Sequence, residues 1–359
     1  LSEVYSRERA GRWFLESGIQ EPSGGVARFY LADALKNKPV STEITGYAAS
    51  ALAFLAEVEG NSEYLDRARW TAGFLAEHAW DQGLGIFPYE HPSPSEISKH
   101  QAFFFDSGII VRGLLAVWRI AKEPRLLDAA VRGARGMLRD FHSGKDFHPI
   151  LNLPGKTPLE RDGHWSRSPG CYQTKSALAW WEVAEITGDC DLRAAYLETI
   201  EDALKTYRDF LPGTSERLRV MDRLHAYSYF LEALYPQLHR PECVEAYRFT
   251  MDRVSFYLRD LAPEFARSDV YAQLLRARVY AAGVIPVDGE KAREEAAALA
   301  QFQAASEDPR IEGGFFFGRR GEAFIPHINP VSATFAVQAL EVWRAFESGD
   351  PDPCLQPPI

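Results

Sequence analysis

The sequence predicts an all-α chain of paired helices that close into a ring, an (α/α)6 toroid, and three observations carry that expectation. Gly46 to Glu57 is apolar almost all the way round, from Tyr47 through Leu52, Phe54 and Leu55. A helix with no polar face has nothing to offer water and belongs among other helices. Such inner stretches alternate, after tight turns, with amphipathic helices whose charged residues read as an outer face. Finally, one helix near each end of the chain lacks a partner, and the two supply each other. An open solenoid would leave two apolar end faces uncovered; a closed ring leaves none.

Each element follows in order. Ser6–Ser17 is amphipathic and reads as an outer helix without an inner partner. Gly46–Glu57 is inner, Gly60 stops it, and Asn61 or Ser62 caps the outer helix that runs to Trp80. Phe105–Ala121 is inner, and Pro124 opens its outer partner, which reaches about Phe141. Tyr172–Thr187 and Asp191–Phe210 form the third pair, turning at Gly188 and Asp189. Asp222–Tyr235 and Glu242–Leu261 form the fourth. A fifth starts at Ser268 and returns from Gly289 to about Ala305. Asn329–Phe346 is an apolar helix with no outer partner after it, so Ser6–Ser17 fills that place. The whole of 1–359 reads as a single domain with an irregular, Pro-rich tail from about 347.

Composition narrows the function. The net charge of −10 offers no basic stripe to displace counterions, which argues against a nucleic-acid partner. Aromatic residues make up 13% of the chain, more than a core alone explains, and aromatic faces suit sugar rings. The four cysteines form no Cys-x-x-Cys pair, and His142 and His148 lack further ligands at a metal spacing, so neither a metal nor another cofactor is expected. The longest apolar run, Ala102–Ile120, is interrupted by Asp106 and Arg112 and is no membrane span. Without an apolar signal core at the start, the cytoplasm is the default location, a trimmed exported form being the alternative. Oligomeric state is left open.

In a ring of hairpins the long loops and the starts of the inner helices gather at one mouth, where function is carried. The mouth is expected to collect Glu43, Tyr47, Asp106, Tyr172, Lys175, His225, Tyr227, Asp269 and His327, with Tyr89, Trp165, Arg167 and Phe315 from the loops. Asp106 interrupts an apolar stretch and reads either as a helix cap or as an acid/base group in an apolar pocket. His225 is a core histidine or a proton carrier, and His327 sits on a loop that ends at the mouth. Lys175 and Arg167 suit a sugar carboxylate, and Trp165, in the polar loop Arg161–Gly170, suits a sugar ring. Tyr47, Tyr89, Tyr227 and Phe315 complete the expected lining.

The hairpins Gly46–Leu55 with Gly60–Arg69, and Ala177–Asp189, resemble those of the six-hairpin glycosidase-like superfamily, which includes unsaturated glucuronyl hydrolases and N-acylglucosamine 2-epimerases. The resemblance spans nearly the whole chain and implies action on an oligo- or polysaccharide, uronate-containing in one version, by hydrolysis, epimerisation or lyase chemistry. Phe-Asp-Ser-Gly at Phe105–Gly108 is similar in place to the aspartate-bearing helix starts of the hydrolases, which implies Asp106 as general acid/base. His225 and His327 are similar to the paired histidines of the epimerases, which implies proton shuttling. Gly313–Arg319 resembles a Gly-Gly-Phe-x-Gly-Arg loop of terpenoid cyclases and prenyltransferase β subunits. The Asp and Cys zinc ligands that follow it there are absent, so isoprenoid chemistry ranks below sugar chemistry. A non-catalytic glycan-binding or assembly protein of a polysaccharide pathway is the other alternative.

Overall fold

The computed structural model describes residues 4–92, 100–143, 146–161, 164–212, 217–350 and 357–359. Twelve α-helices are present among them, joined by loops whose only strands are two or three residues long. The chain divides into two compact units: Gln20–Arg28 with Pro39–Ala203, and Leu1–Ile19 with Phe29–Lys38 and Leu204–Ile359.

In the first of these units, α2 (Thr42–Glu59), α4 (Phe104–Ala121) and α6 (Thr174–Thr187) are the inner helices. Their outer partners are α3 (Ser62–Phe74), α5 (Pro124–Phe141) and α7 (Cys190–Thr206), the last running on into the other unit. The turns follow the local chemistry. Ser41 accepts from the Ile44 amide at the start of α2, Gly60 ends that helix at φ 64°, and Asn61 caps α3. Gly188 closes α6 in the same left-handed conformation. Five residues of π-helix, Leu75–Ala79, extend α3 almost to the expected Trp80.

Small residues let the inner helices approach backbone to backbone. A Cβ on Gly46 would stand 2.9 Å from the Ile109 carbonyl oxygen, one on Gly113 2.4 Å from the Gly46 oxygen, and one on Gly108 2.5 Å from Ser176. The Ser176 hydroxyl donates to the Phe105 carbonyl (2.6 Å), tying α6 to the first turn of α4. Lower in the bundle, Glu182 on α6 accepts from Arg112 and Arg119 of α4, each at 2.7 Å.

In the other unit the inner helices are α8 (Arg217–Leu234), α10 (Ser268–Tyr280) and α12 (Pro330–Ser348). The outer helices are α9 (Pro241–Leu261), α11 (Gly289–Ala300) and α1 (Arg7–Glu16). The partnership expected between the two unpaired helices is present, with Arg7 of α1 bonded to Glu341 of α12 at 2.9 Å. Helix α8 starts at Arg217 rather than Asp222, and α11 stops at Ala300 rather than Ala305. Arg276 on α10 is fully buried and ion-paired with Glu232 on α8. Most of the Pro-rich tail lies outside the described residues, but the Ile359 amide donates to Gln338 of α12 (2.9 Å).

Short antiparallel ladders join the loops within each unit. Gln101–Phe103 pairs with Ile150–Asn152 in the first, and Tyr30–Leu31 pairs with His327–Ile328 in the other. No helix among the described residues is long and apolar enough to cross a membrane.

Candidate functional site

The first turns of α2 and α4 carry Glu43 and Asp106. Each stands one helical turn before a backbone contact, Glu43 three residues ahead of Gly46 and Asp106 three ahead of Ile109. The close approach of the two helices therefore sets the two carboxyls side by side, a consequence of Gly46 having no side chain.

A loop locks this arrangement from above. The Tyr89 amide donates to the Gln101 carbonyl (2.9 Å), on the strand that leads into α4. The Tyr89 carbonyl accepts from the Thr42 hydroxyl (3.1 Å), at the start of α2. One residue thus spans both helix starts. Next to it, Glu90 bridges Ser41 in antiparallel fashion and forms an ion pair with Arg28. The Arg28 guanidinium lies over the Tyr89 ring, 4.8 Å from its centre.

The electrostatics follow from crowding and burial. Asp106 is 6% exposed, and its Oδ2 is buried without a hydrogen-bond partner. Burial raises its pKa well above the usual carboxylate range, the neighbouring Glu43 charge adds to the rise, and Arg28 opposes it. Burial likewise pushes Glu43 up to about 7 against the pull of Arg28. Burial, together with the carboxylates of Asp106, Glu90 and Glu43, raises the Tyr89 phenol and keeps it a neutral donor, although Arg28 opposes the shift. The cluster thus offers a carboxyl held toward its protonated form, a second carboxyl that exchanges its proton near neutral pH, and a phenol.

Of the expected residues, Asp106 and Tyr89 come together here. Glu43 was expected at the same mouth but without a distinct role; it shares with Asp106 the signal of a carboxyl opening an apolar helix. Arg28 and Glu90 were missed, and nothing in the surrounding sequence marks them. Tyr47, Lys175, Tyr227 and Phe315, expected to line the mouth, are instead 1%, 0%, 1% and 0% exposed. Tyr47, Lys175 and Tyr227 lie on inner helices, which pack on all sides, and Phe315 lies in a loop. Phe315 packs near Tyr5 (6.3 Å between ring centres) and Tyr227 against Phe210 (5.6 Å). Trp165 is half-buried with its edge on Tyr172 (5.2 Å), and Arg167 is exposed on the same turn. Two residues of that loop, 162 and 163, lie outside the described residues.

The two histidines belong to the other unit. His225 stands near a buried, bidentate Arg267–Asp269 pair with bonds of 2.6 and 3.0 Å. Burial and then Arg267 lower the His225 pKa to about 3 against the pull of Asp269, so the ring is neutral at physiological pH. The His327 ring stacks on Phe29 at 4.7 Å, and its pKa is lowered, first by burial and also by Lys38, while Asp33 opposes. Among the described residues no group of three His, Cys, Asp or Glu side chains is arranged to hold a metal ion.

Solved structures share this arrangement of helices. A cellobiose 2-epimerase from Bacillus thermoamylovorans B4167 superposes with a TM-score of 0.72 at 12% identity, over 93% of this chain and 98% of that one. A sugar epimerase from a ruminal bacterium gives 0.70 at 10% identity, over 94% and 96%. An unsaturated glucuronyl hydrolase from Streptococcus agalactiae gives 0.64 at 12%, over 94% and 88%. The chain has the six-hairpin (α/α)6 toroid fold. No protein-family model matches the sequence, and no curated protein matches it. At these identities the likeness extends to the fold, so the chemistry has to be argued from the carboxyl cluster itself.

Proposed function

We propose that this protein is a carbohydrate-active enzyme whose acid/base pair is Glu43 and Asp106, and that it hydrolyses a glycosidic bond. The observation that carries the reading is Asp106: a carboxyl buried among apolar groups, with one oxygen unbonded, beside a second carboxyl that titrates near neutrality. Glycoside cleavage needs such a pair, an acid to protonate the leaving oxygen and a base or nucleophile for the other half of the reaction. Tyr89 supplies a hydroxyl donor at the same place. That proteins with this fold bear the names cellobiose 2-epimerase, sugar epimerase and unsaturated glucuronyl hydrolase supports a sugar as substrate. Epimerisation is the alternative sugar chemistry and differs in its product.

The test is turnover on a panel of disaccharides, aryl glycosides, free hexoses and unsaturated uronides, with products resolved by mass. Hydrolysis releases two fragments, whereas epimerisation returns a sugar of unchanged mass. Asp106→Asn and Glu43→Gln are each expected to lose about 10²–10⁴-fold in turnover while remaining folded. Wild-type turnover in Asp106→Asn would refute the assignment.

A further inference from the structure

The cluster contains more ionic structure than two carboxyls and a phenol require. Arg28 reaches the pair from a separate segment, held by a hydrogen bond from its amide to the Pro39 carbonyl (3.1 Å). Its side chain is about a third exposed and that of its partner Glu90 about a fifth (32% and 22%), so the ion pair is partly open to solvent. The bonding is incomplete. One terminal nitrogen goes to Glu90, while the Arg28 Nε is buried without an acceptor. Arg28 therefore has donor capacity that the present arrangement leaves unused, beside an Asp106 oxygen that has no donor.

We propose that Glu90 is a positioning residue for the acid/base pair: by holding the Arg28 guanidinium, it limits how much of that positive charge reaches Glu43 and Asp106. The inference rests on those two carboxyls being the working pair. Its geometric basis is that Glu90 is itself fixed, through its bridge to Ser41, at the cap of the helix that bears Glu43. Among the described residues, the charged and titratable groups around the pair include Arg28, Tyr89 and Glu90 from the loops and the two carboxyls from α2 and α4. Helix α6, on the other flank of α4, brings Lys175 in its first turn and Tyr172 just before it, with the Tyr172 ring 6.3 Å from that of Phe105. Arg28 opposes the upward shift of both carboxyls, and it is the Arg28 guanidinium that Glu90 holds. The influence of Glu90 on the pair accordingly passes through Arg28. Released from Glu90, the guanidinium has the free Nε and the charge to turn toward the carboxyls, which would draw off their protons and disarm the acid.

The experiment is a titration of side-chain carboxyl carbons by NMR, on full-length protein labelled at Asp and Glu, from about pH 4 to about pH 10. Glu43→Gln and Asp106→Asn assign the two signals, and no substrate is needed. Glu90→Gln is expected to lower the Glu43 titration by about one pH unit, tenfold in proton affinity. Glu90→Asp, which retains the charge, restores much of the wild-type value. Arg28→Gln raises the titration, and Glu90→Gln added to it moves the value no further, as a coupled pair requires. An unmoved Glu43 signal in Glu90→Gln overturns the proposal, as does a full shift that persists without Arg28. Should Glu90→Gln fail to fold, an unchanged titration in Arg28→Gln overturns it equally. Because the readout is protonation and not turnover, it can fail while the proposed reaction stands, and the reverse.

Discussion

Alanine at Gly113 tests the link between helix packing and the site. The new Cβ would lie 2.4 Å from the Gly46 carbonyl oxygen and 2.9 Å from its Cα, and both are backbone atoms that cannot rotate away. Restoring an ordinary contact of about 3.4 Å requires α2 and α4 to part by about 1 Å. Overpacking of this kind costs about 1–3 kcal/mol, and the better helix propensity of alanine returns up to about 1 kcal/mol. The net loss, about 1–2 kcal/mol, corresponds to a fall of a few degrees in Tm. The same opening separates Glu43 from Asp106, and a misplacement of about 1 Å at reacting groups costs about 100-fold in rate. The control is Gly73→Ala on α3, whose Cβ would meet nothing nearer than an Arg125 nitrogen at 3.6 Å. That variant should gain up to about 1 kcal/mol. Calorimetry and turnover on the three proteins decide the matter. If Gly113→Ala melts no lower than wild type and keeps its activity, close helix packing is not what places the carboxyls.

Two further outcomes concern pH. The Glu43 pKa is higher in the folded protein, near 7, than its ordinary 4.5, so the folded state binds the proton more tightly and loses stability as pH rises between those values. The advantage of Glu43→Gln over wild type should therefore grow by at most about 3 kcal/mol from about pH 4 to about pH 8, measured by urea unfolding; a constant difference would contradict it. Glu182 has the opposite sign. Burial raises its pKa, but Arg112 and Arg119 outweigh burial and bring it down to about 2 from an ordinary 4.5. Its contribution is complete above about 4.5 and disappears as pH falls toward 2, so Glu182→Gln should cost about 3–5 kcal/mol at neutral pH and progressively less in acid.

The helices were legible because their signals are local. An inner helix such as α2 declares itself by lacking a polar face, and Ser41, Gly60, Asn61, Pro124 and Gly188 mark the boundaries by their own backbone chemistry. Asp106 was legible for the same reason, as a charge where none belongs. Orientation about a buried helix was not. Lys175 stands between Thr174 and Ser176 much as a rim residue would, yet it is wholly buried, because a helix surrounded by others has no periodicity to reveal which side faces a ligand. The role of Arg28 depends on partners that lie about 60 to 80 residues away in sequence, Tyr89, Glu90 and Asp106, and no local pattern encodes that meeting.

The bonds made by Tyr89 have a consequence for how this part of the molecule opens. By shape, residues 81–91 are a connecting loop, the kind of segment whose amides trade hydrogen with solvent quickly. Yet the Tyr89 N–H is bonded to the strand that leads into α4, and its carbonyl to the start of α2. Its amide can be released only when that strand detaches, so in exchange kinetics Tyr89 falls in with the two helix starts and not with the loop around it. Exchange at Tyr89 then reports on the detachment of the Gln101–Phe103 strand from the helix starts that bear the acid/base pair, and not on motion of the loop alone.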